Sequence, residues 1–174
     1  LLSEYKQGII GSIIIPTLEG SRPILAEIQA LIHPSMLQTP RRVANGIDFN
    51  RMLLVSAVLS QRSSFSVSGK DIFVSATGGV KISEPAADLG IALSIVSSLK
   101  NYPVKPLTSA IGEIGLGGEV RQVSQIERRI DELSRLGFKS CLLPLASYKK
   151  IEVEGSIELI PVSTLSEGIK YALE

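Results

Sequence analysis

Two pairs of acidic residues have the spacing that carboxylate chemistry needs. Glu84 and Asp88 lie four residues apart in a predicted helix, as do Glu127 and Asp131 in a later one. Paired carboxylates on one helix face can serve as general acid and base. Helix capping and solvation explain the first pair better, and ordinary i,i+4 surface charge explains the second.

No residue set predicts a metal or nucleotide site in this chain. The sequence has one histidine, His33, and one cysteine, Cys141, which rules out a multi-histidine site and a cysteine zinc cluster. Cys141 lies in an apolar run and is expected to be a buried, inert thiol. Gly69-Lys70 is followed by Asp71 rather than by the Ser or Thr of a phosphate loop. The glycines of 115–118 are expected to form a hairpin turn.

The composition limits the function classes. The 174 residues suffice for about one domain, and the hydrophobic and charged fractions are 44% and 20%. The net charge of +1 means that any contact with nucleic acid must be local. An aromatic content of 5% without tryptophan argues against an aromatic stacking platform for bases. The chain has no apolar run long enough for a membrane span and no signal-peptide pattern. We expect a cytoplasmic fragment of a longer protein.

The hydrophobic patterning predicts an α/β (α+β) fold in a single compact domain. The expected strands are Gly8–Ile15, Ile24–Ile32, Asp71–Thr77, Ala110–Ile114, Glu119–Val123, Ser140–Leu143 and Ile157–Val162. A turn is expected at Pro16–Pro23 and a polar loop at His33–Arg42. Four helices are expected, with caps at Asp48, Ser83, Ser124 and Thr164. The second, Ala86–Leu99, is apolar on almost all sides and is therefore expected at the centre.

An ordered set of segments resembles the C-terminal domain of the bacterial RadA (Sms) family of DNA repair and recombination ATPases. The set comprises Thr17–Pro23, Glu27–Leu31, Pro40–Arg51, Ala76–Ile82, Glu84–Leu89, Ile111–Arg121 and Glu127–Arg129. The resemblance implies that residues 8–174 form a Lon-protease-like domain and that residues 1–7 are a linker from an upstream ATPase domain. The implied fold resembles the Lon proteolytic domain and domain 2 of certain ribosomal proteins.

The resemblance also identifies where a Lon-type peptidase carries its serine nucleophile and its lysine base. Here the two positions fall on Ala86 and Glu127. Alanine offers no nucleophile, so the resemblance implies an inactive peptidase. Lys81 and Ser83 are the nearest substitutes, but nucleophilic catalysis depends on geometry at the ångström level. An active serine peptidase with an unrecognised site is kept as an alternative, as is a Lon-like domain of a magnesium-chelatase-type ATPase.

By the resemblance, the chain would serve as an oligomerisation scaffold and a DNA-binding surface. The implied partners are other copies in a homo-oligomeric, hexameric ring, single-stranded or branched DNA during branch migration, and a RecA-type recombinase. ATP, magnesium and zinc are expected only in upstream domains, and the location is cytoplasmic in a bacterium or plastid or mitochondrial in a eukaryote. The candidate DNA-binding residues are Arg41, Arg42, Arg51, Arg121, Arg128 and Arg129. Ring contacts are expected from Gly8–Ile32 and the loops beside it.

Overall fold

The structure, a computed structural model, describes residues 8–152 and 155–174. The predicted linker 1–7 lies outside these described residues. Strands β1 (Ser12–Glu19) and β2 (Arg22–Pro34) pair in antiparallel fashion around a two-residue turn. The prediction of a strand over Gly8–Ile15 and a turn over Pro16–Pro23 is wrong, because the strand begins later and continues through Pro16. Since β1 lies at the edge of its sheet, a residue without an N–H is tolerated there.

The main sheet has four strands in the order β1-β2-β4-β3. Strand β3 (Arg42–Asn45) was not predicted, and it runs parallel to β4 (Lys70–Ala76). Helix α1 (Phe49–Arg62) makes the crossover between them, as parallel pairing requires. The predicted cap is confirmed, because the Asp48 carboxylate accepts a hydrogen bond of 2.9 Å from the Arg51 N–H.

Helix α2 (Asp88–Lys100) is central, as predicted, and every residue from Asp88 to Ser97 is buried. Two of its serines bind backbone groups of other segments. Ser97 Oγ accepts from the Gly11 N–H at 2.8 Å, and Ser98 Oγ accepts from the Ile32 N–H at 2.9 Å. The predicted Ser83 cap is wrong. A 3-10 turn, Pro85–Ala87, precedes the helix, and its cap position is held by Glu84 without a capping hydrogen bond.

The second half of the chain adds a parallel sheet and short elements. They are β5 (Thr108–Ala110), β6 (Glu113–Ile114), β7 (Val120–Arg121), α3 (Ile126–Arg135), β8 (Ser140–Pro144), α4 (Leu145–Tyr148), β9 (Glu158–Val162) and α5 (Leu165–Leu173). The order in the parallel sheet is β5-β8-β9, and β6 pairs with β7 as the predicted hairpin. The predicted strand Ala110–Ile114 is in fact divided between β5 and β6, which belong to different sheets.

The predicted caps of α3 and α5 had different outcomes. Thr164 Oγ1 accepts from the Glu167 N–H at 3.2 Å, which confirms the predicted capping box. Ser124 does not cap α3. Instead Gln125 occupies the cap position with a left-handed φ of 54°, and the Ser124 carbonyl accepts from Arg129 Nε at 2.9 Å. A buried arginine thus sets the chain path into α3.

Two apolar clusters hold these layers together. The larger lies between the four-stranded sheet and helices α1, α2 and α5, and the smaller lies between the β1–β2 hairpin, α3 and β8. The predicted α/β class and single compact domain are therefore confirmed. Within the described ranges, no helix is long and apolar enough to cross a bilayer.

Candidate nucleic-acid interface and the cleft at Ala86

A small cleft of about 200 Å³ surrounds Ala86, where the resemblance predicted the position of a peptidase nucleophile. Its lining residues are Glu84, Pro85, Ala86, Glu113, Gln122, Val123, Ser124 and Arg129. Glu127, the predicted position of the lysine base, is exposed on the first turn of α3 and does not line the cleft. The suggested substitutes Lys81 and Ser83 are also exposed to solvent. At position 86 the cleft therefore presents a methyl group, and charged and polar side chains surround it.

Arg129 is almost completely buried beside this cleft, with 1% of its surface exposed. Its guanidinium forms an ion pair with Glu84 and donates through Nε to the Ser124 carbonyl. The other Glu84 carboxylate oxygen accepts from the Leu18 N–H at 3.3 Å. Arg129 was a candidate for DNA contact, but in this position it ties α3 to the chain before α2 and is not available at the surface.

Arg51, another candidate, is paired with Asp88. Its Nε lies 3.0 Å from one carboxylate oxygen of Asp88, and its Nη2 contacts the other. The Asp88 carboxylate is fully buried and also accepts from the Ile114 N–H at 3.0 Å. Burial raises the pKa of the Asp88 carboxyl, and the hydrogen bonds from Arg51 and Ile114 partly oppose that rise. Glu84 and Asp88 are thus each bound to a different arginine.

Arg121 and Arg128 are exposed but lie in mixed-charge surroundings. The Arg121 side chain is 59% exposed and lies 3.8 Å from the carboxylate of Glu119. Arg128 donates to the Ser21 carbonyl at 3.1 Å. Helix α3 carries three arginines, of which one is buried, and three acidic residues, Glu127, Asp131 and Glu132. This surface has no excess of positive charge.

Positive charge exceeds negative charge at the opposite end of the sheet. The basic residues there are Arg41, Arg42 and Lys70, and we call this group the arginine corner. Arg42 Nη1 donates to the Lys70 carbonyl at 2.5 Å and to the Arg41 carbonyl at 3.0 Å. The segments 33–42 and 66–72 that build the corner contain a single acidic residue, Asp71. The corner therefore keeps an excess of positive charge, and the Arg41 side chain is 55% exposed.

Asp71 organises the arginine corner from within. Its side chain is 1% exposed, and it accepts from the Arg41 N–H at 2.7 Å and from Arg41 Nη2 at 3.1 Å. The Arg41 N–H, above all, lowers the pKa of Asp71 from 3.8 to about 2. The His33 Nε2 atom lies 3.7 Å from the same carboxylate. The charge at Asp71 thus fixes the direction of the Arg41 guanidinium.

The structure does not bring the six candidate arginines together. Arg128 contacts the turn at one end of β2, and the arginine corner adjoins Pro34 at the other end. The 13 residues of β2 place these ends roughly 40 Å apart at the usual rise of a strand. One short stretch of DNA cannot contact both groups on one copy of the chain.

Sequence reasoning missed Lys70, His33 and Phe73 as neighbours of Arg41. The His33 ring stacks on Phe73 with ring centres 5.9 Å apart, and the Arg41 guanidinium lies 5.5 Å from the Phe73 ring centre. The missing signal was β3: without its pairing to β4, nothing in the sequence connects positions 41 and 73.

Cys141 is buried as predicted, and burial raises the pKa of its thiol. In residues 8–152 and 155–174, there is no group of three or more His, Cys, Asp or Glu side chains that could hold a metal ion.

Comparison with known proteins gives two findings. The family model described as subunit ChlI of Mg-chelatase matches residues 45–147. The chain is also similar to curated proteins named DNA repair protein RadA. It is 45% identical to that of Bacillus subtilis and 43% identical to that of Halalkalibacterium halodurans, in both cases over 99% of this chain and 38% of the relative.

A third relative extends the same result. The DNA repair protein RadA of Streptococcus pneumoniae is 43% identical over 97% of this chain and 40% of the relative. The chain therefore spans about two fifths of the length of the curated relatives it matches.

Proposed function

We propose that this chain, which belongs to the family described as subunit ChlI of Mg-chelatase and is similar to proteins named DNA repair protein RadA, is a non-proteolytic DNA-contacting domain of a repair protein. The observation that carries the proposal is the arginine corner. Three cations and a single acidic residue, the buried Asp71 that pairs with Arg41, lie in the segments that build it. Arginine side chains suit phosphate contacts because they are always charged and bidentate.

The cleft at Ala86 supports the non-proteolytic part of the proposal. A serine–lysine peptidase needs a hydroxyl nucleophile next to a desolvated lysine with a lowered pKa. Here the two positions carry a methyl group and an exposed carboxylate. The Glu84–Arg129 ion pair occupies the cleft wall instead. An active peptidase would need a site built from other residues.

In the complete protein, we propose that the domain also serves as a scaffold for a homo-oligomeric ring. Ring assembly would repeat the arginine corner once per subunit, so a modest local charge would be multiplied along bound DNA. ATP hydrolysis, branch migration and cooperation with a RecA-type recombinase would depend on parts of the protein outside this chain. The match to the ChlI family model keeps a magnesium-chelatase-type ATPase as a second candidate parent.

Fluorescence anisotropy of labelled duplex and single-stranded DNA at several salt concentrations tests the DNA-contacting role. We expect the double variant Arg41→Ala/Arg42→Ala to bind all sequences more weakly. Its salt dependence should also be shallower, by about 0.7 in the log–log slope for each phosphate of a single strand that is no longer neutralised. The control Arg121→Ala/Arg128→Ala removes the same charge from the mixed-charge surfaces and should bind nearly as the parent does. The reverse ranking would move the DNA surface to the α3 end.

A further inference from the structure

Strand β1 forms one edge of the main sheet, and side chains satisfy the backbone groups along that edge. Its pairing with β2 uses alternate residues, so Ile14, Pro16 and Leu18 direct their backbone groups away from the sheet. The Ile14 carbonyl accepts from a serine hydroxyl of β5 at 2.7 Å, and the Pro16 carbonyl accepts from Arg129 Nη1 at 3.5 Å. The Leu18 N–H donates to a carboxylate oxygen of Glu84 at 3.3 Å. This edge is therefore closed to a further strand.

Strand β3 forms the other edge of the sheet, and its backbone groups have no such partners. The Arg41 carbonyl accepts from the Ile72 N–H at 2.9 Å, which fixes the phase of the parallel ladder between β3 and β4. Alternate residues, starting at Arg41, therefore direct their backbone groups toward β4, whereas Arg42 and Ala44 direct theirs outward. Among the described residues, no strand pairs with β3 on that outer side. The N–H and C=O groups of Arg42 and Ala44 can therefore pair with an added strand.

A row of apolar side chains leads across the sheet to this edge. On the side that faces away from α1 and α2, the strand register aligns Leu31, Phe73 and Val43 in three neighbouring strands. Leu31 is 60% exposed and Val43 is 43% exposed, and the row lines a groove of about 430 Å³. A strand added beside β3 would place one of its side chains roughly 5 Å from Val43. An apolar side chain at that position would extend the row and cover part of Val43.

The arginine corner lies at the beginning of β3 and determines which charges an added strand should carry. The segments around the corner contain three cations and one carboxylate, that of Asp71, which is buried and already paired with Arg41. Residues of an added strand at this end of β3 would therefore lie in an excess of positive charge. Acidic side chains are favoured there by charge complementarity.

We propose that β3 binds an extended peptide segment of a partner protein, which adds a strand to the open edge of the main sheet. The segment has an apolar side chain beside Val43 and acidic side chains near the arginine corner. Main-chain hydrogen bonds to Arg42 and Ala44 provide affinity, and the two kinds of side chain provide specificity. A peptide is the ligand that fits, because the edge offers alternating donors and acceptors at the spacing of an extended backbone. The inference does not depend on the DNA-contacting role.

The test uses a fluorescein-labelled peptide with alternating valine and threonine at its centre and two aspartates at each end. Anisotropy is followed as the 174-residue chain is added, and a second peptide carries lysines in place of the aspartates. We expect the parent chain to bind the aspartate peptide and to bind the lysine peptide more weakly.

Two variants of the chain locate the contact. Ala44→Pro removes one outward N–H, which is the position at which an edge strand tolerates proline. We expect it to bind the aspartate peptide at least about fivefold more weakly, as the loss of one hydrogen bond would produce. The control Ala44→Val keeps the N–H with a side chain of similar size and should bind nearly as the parent does. Circular dichroism checks that both variants are folded. Val43→Ser alters an exposed side chain, so it keeps the fold, and it should weaken binding about threefold.

Three results would overturn the proposal. Failure of the parent chain to bind the aspartate peptide, or equal binding of both peptides, would remove the proposed ligand. Equal binding by Ala44→Pro and Ala44→Val would show that the contact does not run along β3. If Ala44→Pro alone lowered the mass measured by light scattering without peptide, β3 would instead be an interface between copies of the chain. The DNA titrations of the arginine variants are separate measurements, so either proposal can fail without the other.

Discussion

Arg51 and the buried Asp88 form a two-point ion pair that joins the first turn of α1 to the first turn of α2. The same carboxylate accepts the Ile114 N–H, so it also holds the β6–β7 hairpin. The two residues are 37 positions apart in the sequence, and their pairing gives a structural role to an arginine whose type alone suggested DNA contact.

The first prediction concerns this pair. Asp88→Asn removes the charge that compensates Arg51, so we expect the free energy of unfolding to fall by about 3 kcal/mol. Denaturant unfolding followed by circular dichroism measures the change. Asp131→Asn, an exposed carboxylate on α3, is the matched control and should change stability by less than about 0.5 kcal/mol. Equal stability of the two variants would show that the buried pair contributes nothing.

The second prediction concerns the cleft at Ala86. We expect the double variant Ala86→Ser/Glu127→Lys to hydrolyse no labelled casein. A lysine at position 127 would be exposed, so its amine would keep a pKa far above neutrality and could not accept the serine proton. Release of fluorescent peptides over hours is the measurement, with Ala86→Ser alone as the control. Hydrolysis by the double variant but not by Ala86→Ser alone would contradict this prediction. It would show that the surrounding geometry of a peptidase site is intact and that only these two side chains are missing from it.

The third prediction follows from the lowered pKa of Asp71. A carboxylate whose pKa falls from 3.8 in the unfolded chain to about 2 in the folded one stabilises the fold above pH 4. This contribution is lost as the pH falls through 2. Asp71→Asn should therefore be less stable than the parent at pH 6, and the gap should close between pH 4 and pH 2. Urea unfolding at a series of pH values measures it. A gap that stays constant with pH would contradict the role of the charge.

The fourth prediction concerns the close packing of α2 on β1. A β-carbon added to Gly90 would lie 2.6 Å from the Cγ2 methyl of Ile15, a branched side chain with little freedom to move. Overpacking outweighs the better helix propensity of alanine, so we expect Gly90→Ala to lower the free energy of unfolding by about 1 kcal/mol. Thermal unfolding provides the measurement. Gly117→Ala, which would meet only the flexible Glu119 side chain, is the control.

Local signals in the sequence were sufficient where neighbouring residues decide the structure. The caps at Asp48 and Thr164 were predicted because a side chain there bonds an N–H within three residues. The Ser83 cap was wrong where a distant residue intervenes, because Arg129 of α3 binds the Glu84 carboxylate beside it. The Ser124 cap was wrong although the contact is local, because Gln125 takes the cap position and the Ser124 carbonyl accepts from Arg129.

The sequence by itself determined the α/β class, the central position of α2, and the residue types at positions 86 and 127, because these depend on composition and local periodicity. Only the tertiary structure decided which arginines reach the surface. Arg51 pairs with the buried Asp88, and the buried Arg129 pairs with Glu84. The pairing of β3 with β4, in contrast, gathers Arg41, Arg42 and Lys70 at one end of the sheet. The physical reason is that a charged side chain is buried only where a partner of opposite charge arrives from a distant part of the chain.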